Sequence, residues 1–161
     1  MKRIAEIIEG RPLYHAESSE SVRAVARRMA DWNVGAIAIL DDDKLVGIFS
    51  ERDLMIRVVA AGLDPDGTAI DAVMTKSIAV AEPVENIDDA LRKMHSLNCR
   101  HLPVVDSGKL LGMLSLRDLL QIDDEHQWRK ASFLKELVTY SPDYESWRNG
   151  SKRQPFATPQ V

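Results

Sequence analysis

Cysteine is almost missing from this chain, and long apolar runs are missing altogether. A single cysteine, Cys99, in 161 residues rules out an intrachain disulfide and fits a reducing compartment. No stretch approaches the ~20 apolar residues of a membrane span. The opening M-K-R-I-A-E-I-I-E is too short and too acidic for a secretory signal. A cytoplasmic protein with no membrane partner is expected. Positive charge is also scarce: 21 Lys and Arg stand against 25 Asp and Glu, a net charge of −4. That disfavours a broad nucleic-acid surface but permits a local basic pocket. Arg23, Arg27 and Arg28 share a helix with Asp31 and read as a solvated face. His15, His95, His101 and His126 are scattered, so with one cysteine there is no metal-ligand spacing. His101, Ser115 and Asp118 are the ingredients of a triad, but no G-x-S-x-G elbow accompanies them. The expectation is a non-enzyme that requires no metal.

What the chain does have is repetition. Residues 44–54 read K-L-V-G-I-F-S-E-R-D-L and residues 109–119 read K-L-L-G-M-L-S-L-R-D-L. A shift of 65 positions pairs Gly47 with Gly112, Ser50 with Ser115, Arg52 with Arg117 and Asp53 with Asp118. The register runs back without a gap through Asn33/Asn98 and Met29/Met94 to Ala16/Ala81. A fixed-period repeat decides architecture before any local argument. Units of about 60 residues are marginal alone, so the two should share one core around a pseudo-twofold axis.

Within the second copy, 78–80 is a short apolar strand candidate. Ile87, Ala90, Leu91, Met94 and Leu97 recur at helical spacing over 86–98, with Asn86 as N-cap and Asp88 and Asp89 in the first turn. Strands follow at 102–105 and 110–114 around a turn at Asp106, Ser107 and Gly108, and Ser115 opens a further helix. The first copy repeats the order: a helix lined by Val22, Val25, Ala26 and Met29, a strand at 36–40, a turn, and a return strand at 45–49. Ser50 then caps a helix running to Ala61, with Gly62 as its stop. The class is α/β (α+β), with β-α-β-β-α order twice. Expected boundaries are 1–62 for repeat one, 63–67 for a linker, 68–122 for repeat two, and 123–161 for a C-terminal helix and tail. The helix is expected over 124–140, with Trp128, Leu134, Leu137 and Val138 as its apolar members.

The Ser-x-Arg-Asp corner, present twice at a strand-to-helix junction, admits two readings. Ser at the N-cap with an acid three residues on is close to a capping box and needs no ligand. Alternatively, helix-start N–H groups and an arginine favour a phosphate, and the carboxylate beside them accepts hydrogen bonds from a vicinal diol. Arg100 and His101, just before a buried strand, would stand on the rim of the second cleft, where the first copy has Gly35 and Ala36. Thr75 and Lys76 in V-M-T-K-S-I lead into the first strand of repeat two, which groups Lys76 with Arg100 and His101 around Asp118; the matching stretch of copy one is Gly10, Arg11, Pro12 and Leu13.

Taken together, the doubled h-h-G-h-h-S-x-R-D, the R-H-L-P-V-V-D strand and the V-M-T opening resemble a tandem pair of CBS (cystathionine β-synthase) domains, a Bateman module, over residues 1–122. The resemblance implies two units packed through their sheets and clefts for an adenosine-containing ligand: AMP, ADP, ATP, NAD(H) or S-adenosylmethionine. It implies that Asp holds ribose while the neighbouring Ser and basic residues hold phosphate. The implied ligand-binding residues are Ser50, Arg52 and Asp53, and Ser115, Arg117 and Asp118, with Thr75, Lys76, Ile78, Arg100, His101 and Pro103 framing adenine and phosphate. It further implies a homodimer and a regulatory output to an effector protein. The alternative is a structural dimerisation module that uses its Ser-x-Arg-Asp corners only as caps.

Overall fold

The structure, a computed structural model, describes residues 2–122. Repeat one contains α1 (Ile4–Ile8), β1 (His15–Glu17), α2 (Val22–Trp32), β2 (Ala36–Asp41), β3 (Lys44–Ser50) and α3 (Glu51–Asp53). α3 continues without a break into a π-helix, Leu54–Val59. A 3₁₀ turn, Ile70–Ala72, opens repeat two, followed by α4 (Ile87–Ser96), β4 (His101–Asp106), β5 (Lys109–Ser115) and α5 (Leu116–Ile122). The first sheet has the order β1-β2-β3, with β1 parallel to β2 and β2 antiparallel to β3; the second is the antiparallel hairpin β4-β5. Among the described residues, no helix is long and apolar enough to cross a membrane.

The repeat extends to fine detail. Ser21 and Asn86 cap α2 and α4 by accepting from Ala24 N (3.3 Å) and Asp89 N (3.0 Å). Both hairpins carry a bulge at the same place, after Ile39 and after Val104. Both turn through two successive residues of positive φ, Asp42 and Asp43 in one, Ser107 and Gly108 in the other, the geometry that suits the twist of a tight hairpin. Partly buried ion pairs recur as well: Arg28 with Glu20 at 2.7 Å and Lys93 with Glu85 at 2.5 Å.

What joins the halves is an exchange of lead-in segments. Ile4 N and Ala5 N donate to Glu85 O (2.9 Å) and Pro83 O (3.0 Å), so α1 attaches to repeat two. Reciprocally, Ile70 N and Asp71 N donate to Glu20 O (2.9 Å) and Ser18 O (3.0 Å) in repeat one. Side chains follow the backbone. Ile70, Val73 and Met74 are buried with Val22, Val25, Ile37 and Phe49 in the core of repeat one. Ile8 lies against Gly112 as Met74 lies against Gly47. Each such buried side chain contributes roughly 1.5–3 kcal/mol, which ties each repeat to the other's lead-in. The sheets also meet directly, through Ala38 and Leu40 of β2 and Leu110 of β5.

Two expectations need correction. The first strand of repeat two is not at 78–80: only Ala81 bridges to Val104, through Ala81 N to Pro103 O (2.8 Å) and Val105 N to Ala81 O (2.9 Å). In repeat one the ladder continues through Ser18 N to Leu40 O (2.9 Å). Pro83 occupies the position matching Ser18 and has no N–H to give. The helix expected to run from Ser50 to Ala61 ends at Val59, a turn leads from Ala60 to the left-handed Gly62, and only its first turn is α-helical. Ala60 N bonds Met55 O at 2.9 Å and Leu63 N bonds Val58 O at 3.0 Å, the wider π spacing. The helix and tail expected over 123–161 lie outside the described residues.

Candidate functional site

The two Ser-x-Arg-Asp corners are built alike and finished differently. In repeat one, Asp53 Oδ2 accepts from Ser50 N (2.9 Å) and Ser50 Oγ (2.8 Å), and Asp53 N donates back to Ser50 Oγ at 3.3 Å. The other oxygen is also used: Thr75 Oγ1 donates to Asp53 Oδ1 at 3.0 Å, and Arg57 Nη1 stands 3.4 Å away. Thr75 is held there by paired backbone bonds with Ile48, and Arg57 donates to Val73 O and Met74 O. Asp53 is buried, and its carboxylate is satisfied from within the protein.

In repeat two, Asp118 Oδ2 accepts from Ser115 N (2.7 Å) and Ser115 Oγ (2.6 Å), and Asp118 N donates to Ser115 Oγ at 3.2 Å. Among the described residues its Oδ1 meets a single partner, Arg11 Nη1 at 2.5 Å. Arg11 arrives with the exchanged lead-in: α1 docks on repeat two, Gly10 turns the chain at φ +71°, and Arg11 N closes the turn on Ile8 O at 3.1 Å. The Asp118 corner forms one wall of a cavity of about 850 Å³ between the repeats. Arg11, Arg100, His101, Ser115 and Arg117 line it as well. Ile8, Pro12, Tyr14 and Met113 supply apolar wall, and Asn33, Gly35, Ala36, Glu51 and Leu54 line it from repeat one.

Charge in the cavity follows from this packing. Burial works against an ionised Asp118, but hydrogen bonds from Ser115 and the Arg11 guanidinium outweigh it and hold its pKa below the usual carboxylate value. Burial, helped by the neighbouring Arg100, pushes His101 down to about 4, against a smaller opposing pull from Asp118. His101 is therefore neutral at pH 7. The cavity wall offers three arginines to an anion and a carboxylate oxygen to a hydroxyl pair.

Of the residues expected from sequence to frame a ligand, Arg100, His101, Ser115, Arg117 and Asp118 come together here. Ser50, Arg52, Asp53, Thr75, Lys76, Ile78 and Pro103 do not line the cavity. The grouping of Lys76 with Asp118 is corrected: Lys76 Nζ pairs with Asp71 Oδ1 at 2.9 Å, because the exchange carries its segment to the other repeat. Thr75 serves the Asp53 corner for the same reason. Pro103 is buried inside β4. Arg11, Pro12, Tyr14 and Glu51 were not singled out from sequence. The alignment of Arg11 with Lys76 was a usable signal for the first, since two pseudo-symmetric lead-ins must occupy equivalent places. Among the described residues, no group of three or more His, Cys, Asp or Glu is placed to hold a metal ion.

Residues 4–60 and 70–125 each match the CBS domain family. YlbB of Bacillus subtilis is 34% identical over 120 residues, 73% of this chain and 80% of that protein. An uncharacterized Methanopyrus kandleri protein is 31% identical over 120 residues, again 73% of this chain but 58% of its own length. Among solved structures, a CBS domain protein from Pyrobaculum aerophilum complexed with AMP superposes with a TM-score of 0.68 at 30% identity, covering 86% of this chain and 100% of that one. The doubled corner, the two hairpins and these matches have one explanation: the chain belongs to the CBS domain family and carries two CBS domains in tandem, a regulatory module.

Proposed function

We propose that this module is a non-catalytic sensor that binds an adenosine-containing ligand at the Asp118 corner and passes the change on to a partner. The observation that carries the reading is the Asp118 carboxylate. One oxygen belongs to the cap, and the other has, among the described residues, only Arg11 on it. A ribose diol takes the place of the guanidinium on Oδ1, and Arg11 turns to phosphate together with Arg100 and Arg117. Ser115 stays with the cap, and the apolar wall of Pro12, Tyr14 and Met113 receives the base. The AMP complex of the Pyrobaculum aerophilum relative supports a nucleotide as the ligand class. The Asp53 corner, filled by Thr75 and Arg57, acts as a helix cap.

The output is a second copy of the chain or an effector protein, because a ligand shifts an equilibrium only by its differential affinity for the two states. Met55 (59% exposed) and Val59 (70% exposed), four residues apart on the π-helix, support a pairing surface. Light scattering with and without ligand reads that part: a mass equal to one chain under both conditions refutes the homodimer.

A thermal-shift panel of AMP, ADP, ATP, NADH and S-adenosylmethionine tests the binding. A ligand at 100 times its Kd stabilises by about 2.7 kcal/mol. Unchanged melting with the whole panel would leave a structural module with two helix caps.

A further inference from the structure

The two matching corners that line the cavity carry opposite charge, and the pseudo-symmetry shows it residue by residue. Leu116 N donates to Arg100 O at 2.8 Å, and Glu51 N donates to Gly35 O at 3.0 Å, so the same backbone corner occurs twice. In repeat two that corner presents the guanidinium of Arg100 and an apolar Leu116. In repeat one it presents no side chain at Gly35 and the carboxylate of Glu51. All four residues line the cavity. A Cβ on Gly35 would lie 3.3 Å from Glu51 Oε2, so the glycine leaves open the room in which that carboxylate sits. Among the described residues, the Glu51 carboxylate has neither a salt-bridge nor a hydrogen-bond partner. An acid in the first turn of a helix is favourable by itself. That accounts for Glu51 but not for the loss of the arginine opposite it. At about 850 Å³ the cavity is large for a small-molecule site, towards the upper end of the ~300–1,000 Å³ range.

Building on the adenosine reading, we propose that the cavity selects a ligand with opposite charges at its two ends: phosphates against Arg11, Arg100 and Arg117, and a cationic head against Glu51. A dinucleotide with a positively charged second base has this form. A nucleoside monophosphate occupies only the arginine end. Glu51 is then the residue that sets specificity, and the ligand's head charge is what it reads.

Titration calorimetry of the full chain with NAD⁺, NADH and AMP tests this, since NADH differs from NAD⁺ by the charge of its second base. NAD⁺ is expected to bind about tenfold more tightly than either NADH or AMP, the scale of one charge-assisted contact. Glu51→Gln should bring the NAD⁺-to-AMP ratio close to one, with its melting temperature measured alongside to show an intact fold. AMP or NADH binding as tightly as NAD⁺ to the unaltered protein overturns the proposal and leaves the adenosine reading standing; that comparison needs no variant. A ratio unchanged by Glu51→Gln also overturns it. Absence of binding by all three also overturns it, while the adenosine reading falls only if ADP, ATP and S-adenosylmethionine fail to bind as well.

Discussion

Arg11 Nη1 stands 2.5 Å from Asp118 Oδ1, bridging a lead-in segment of repeat one and the helix cap of repeat two. The pair is partly exposed, with Arg11 at 39% and Asp118 at 18%, so its contribution to stability is small after screening. Its consequence under the proposed function is competition: the guanidinium occupies the oxygen that a bound ribose would take. Arg11→Ala should therefore raise affinity for adenosine, which has no phosphate to lose, while lowering affinity for AMP by about tenfold. Calorimetry with both ligands reads this directly. A parallel loss for adenosine and AMP would mean that Arg11 supports the site only by packing.

His101 predicts an acid dependence of stability. Its pKa in the fold is about 4, against 6.5 ordinarily. Between those values the unfolded chain binds a proton that the folded chain refuses, so stability rises with pH across the window. It is fully present above pH 6.5 and is lost as pH falls towards 4, on the order of 3 kcal/mol. Asp118, with its lowered pKa, acts in the same direction but below its ordinary 3.8. Urea unfolding of the wild type and of His101→Gln from pH 7 to 4 separates the two. The slope between 6.5 and 4 should flatten in the variant, and equal slopes would contradict the assignment.

The exchanged lead-ins predict unequal effects at two matching glycines. A Cβ at Gly47 would lie 2.6 Å from Met74 Sδ and 2.9 Å from the backbone Thr75 O. At Gly112 the nearest atom is the flexible end of Ile8, Cδ1 at 3.2 Å. Gly47→Ala should cost about 1–3 kcal/mol by overpacking, and Gly112→Ala less. Thermal melts of both variants rank them, and the reverse order would mean that the lead-ins do not seat as described.

Much of this was legible in sequence for a physical reason. Hairpins, N-caps and amphipathic helices are local, and Asn86, Ser107 with Gly108, and Ser50 with Asp53 announce themselves through nearest-neighbour chemistry. The Ser-x-Arg-Asp corners also revealed themselves through duplication. Which repeat a lead-in joins is not local. Ile7, Ile8, Val73 and Met74 are apolar in either destination, so their pattern is silent about the exchange, and Lys76 was grouped with the wrong carboxylate. The π spacing after Asp53 was hidden because Leu54, Met55 and Val58 suit an α-helix equally well. The shortened strand at Ala81 had a signal in Pro83, readable only against Ser18 of the other copy.

The inequality of the two aspartates is the central claim, and AMP titration of Asp118→Asn beside Asp53→Asn tests it most directly. On the proposed reading Asp53, with Thr75 and Arg57 on its second oxygen, is structural: its variant should lose about 1–2 kcal/mol of stability while keeping affinity within about threefold. Asp118→Asn should lose at least about tenfold in affinity with a smaller loss of stability. Equal loss of binding in both variants, or retention in both, would contradict the account.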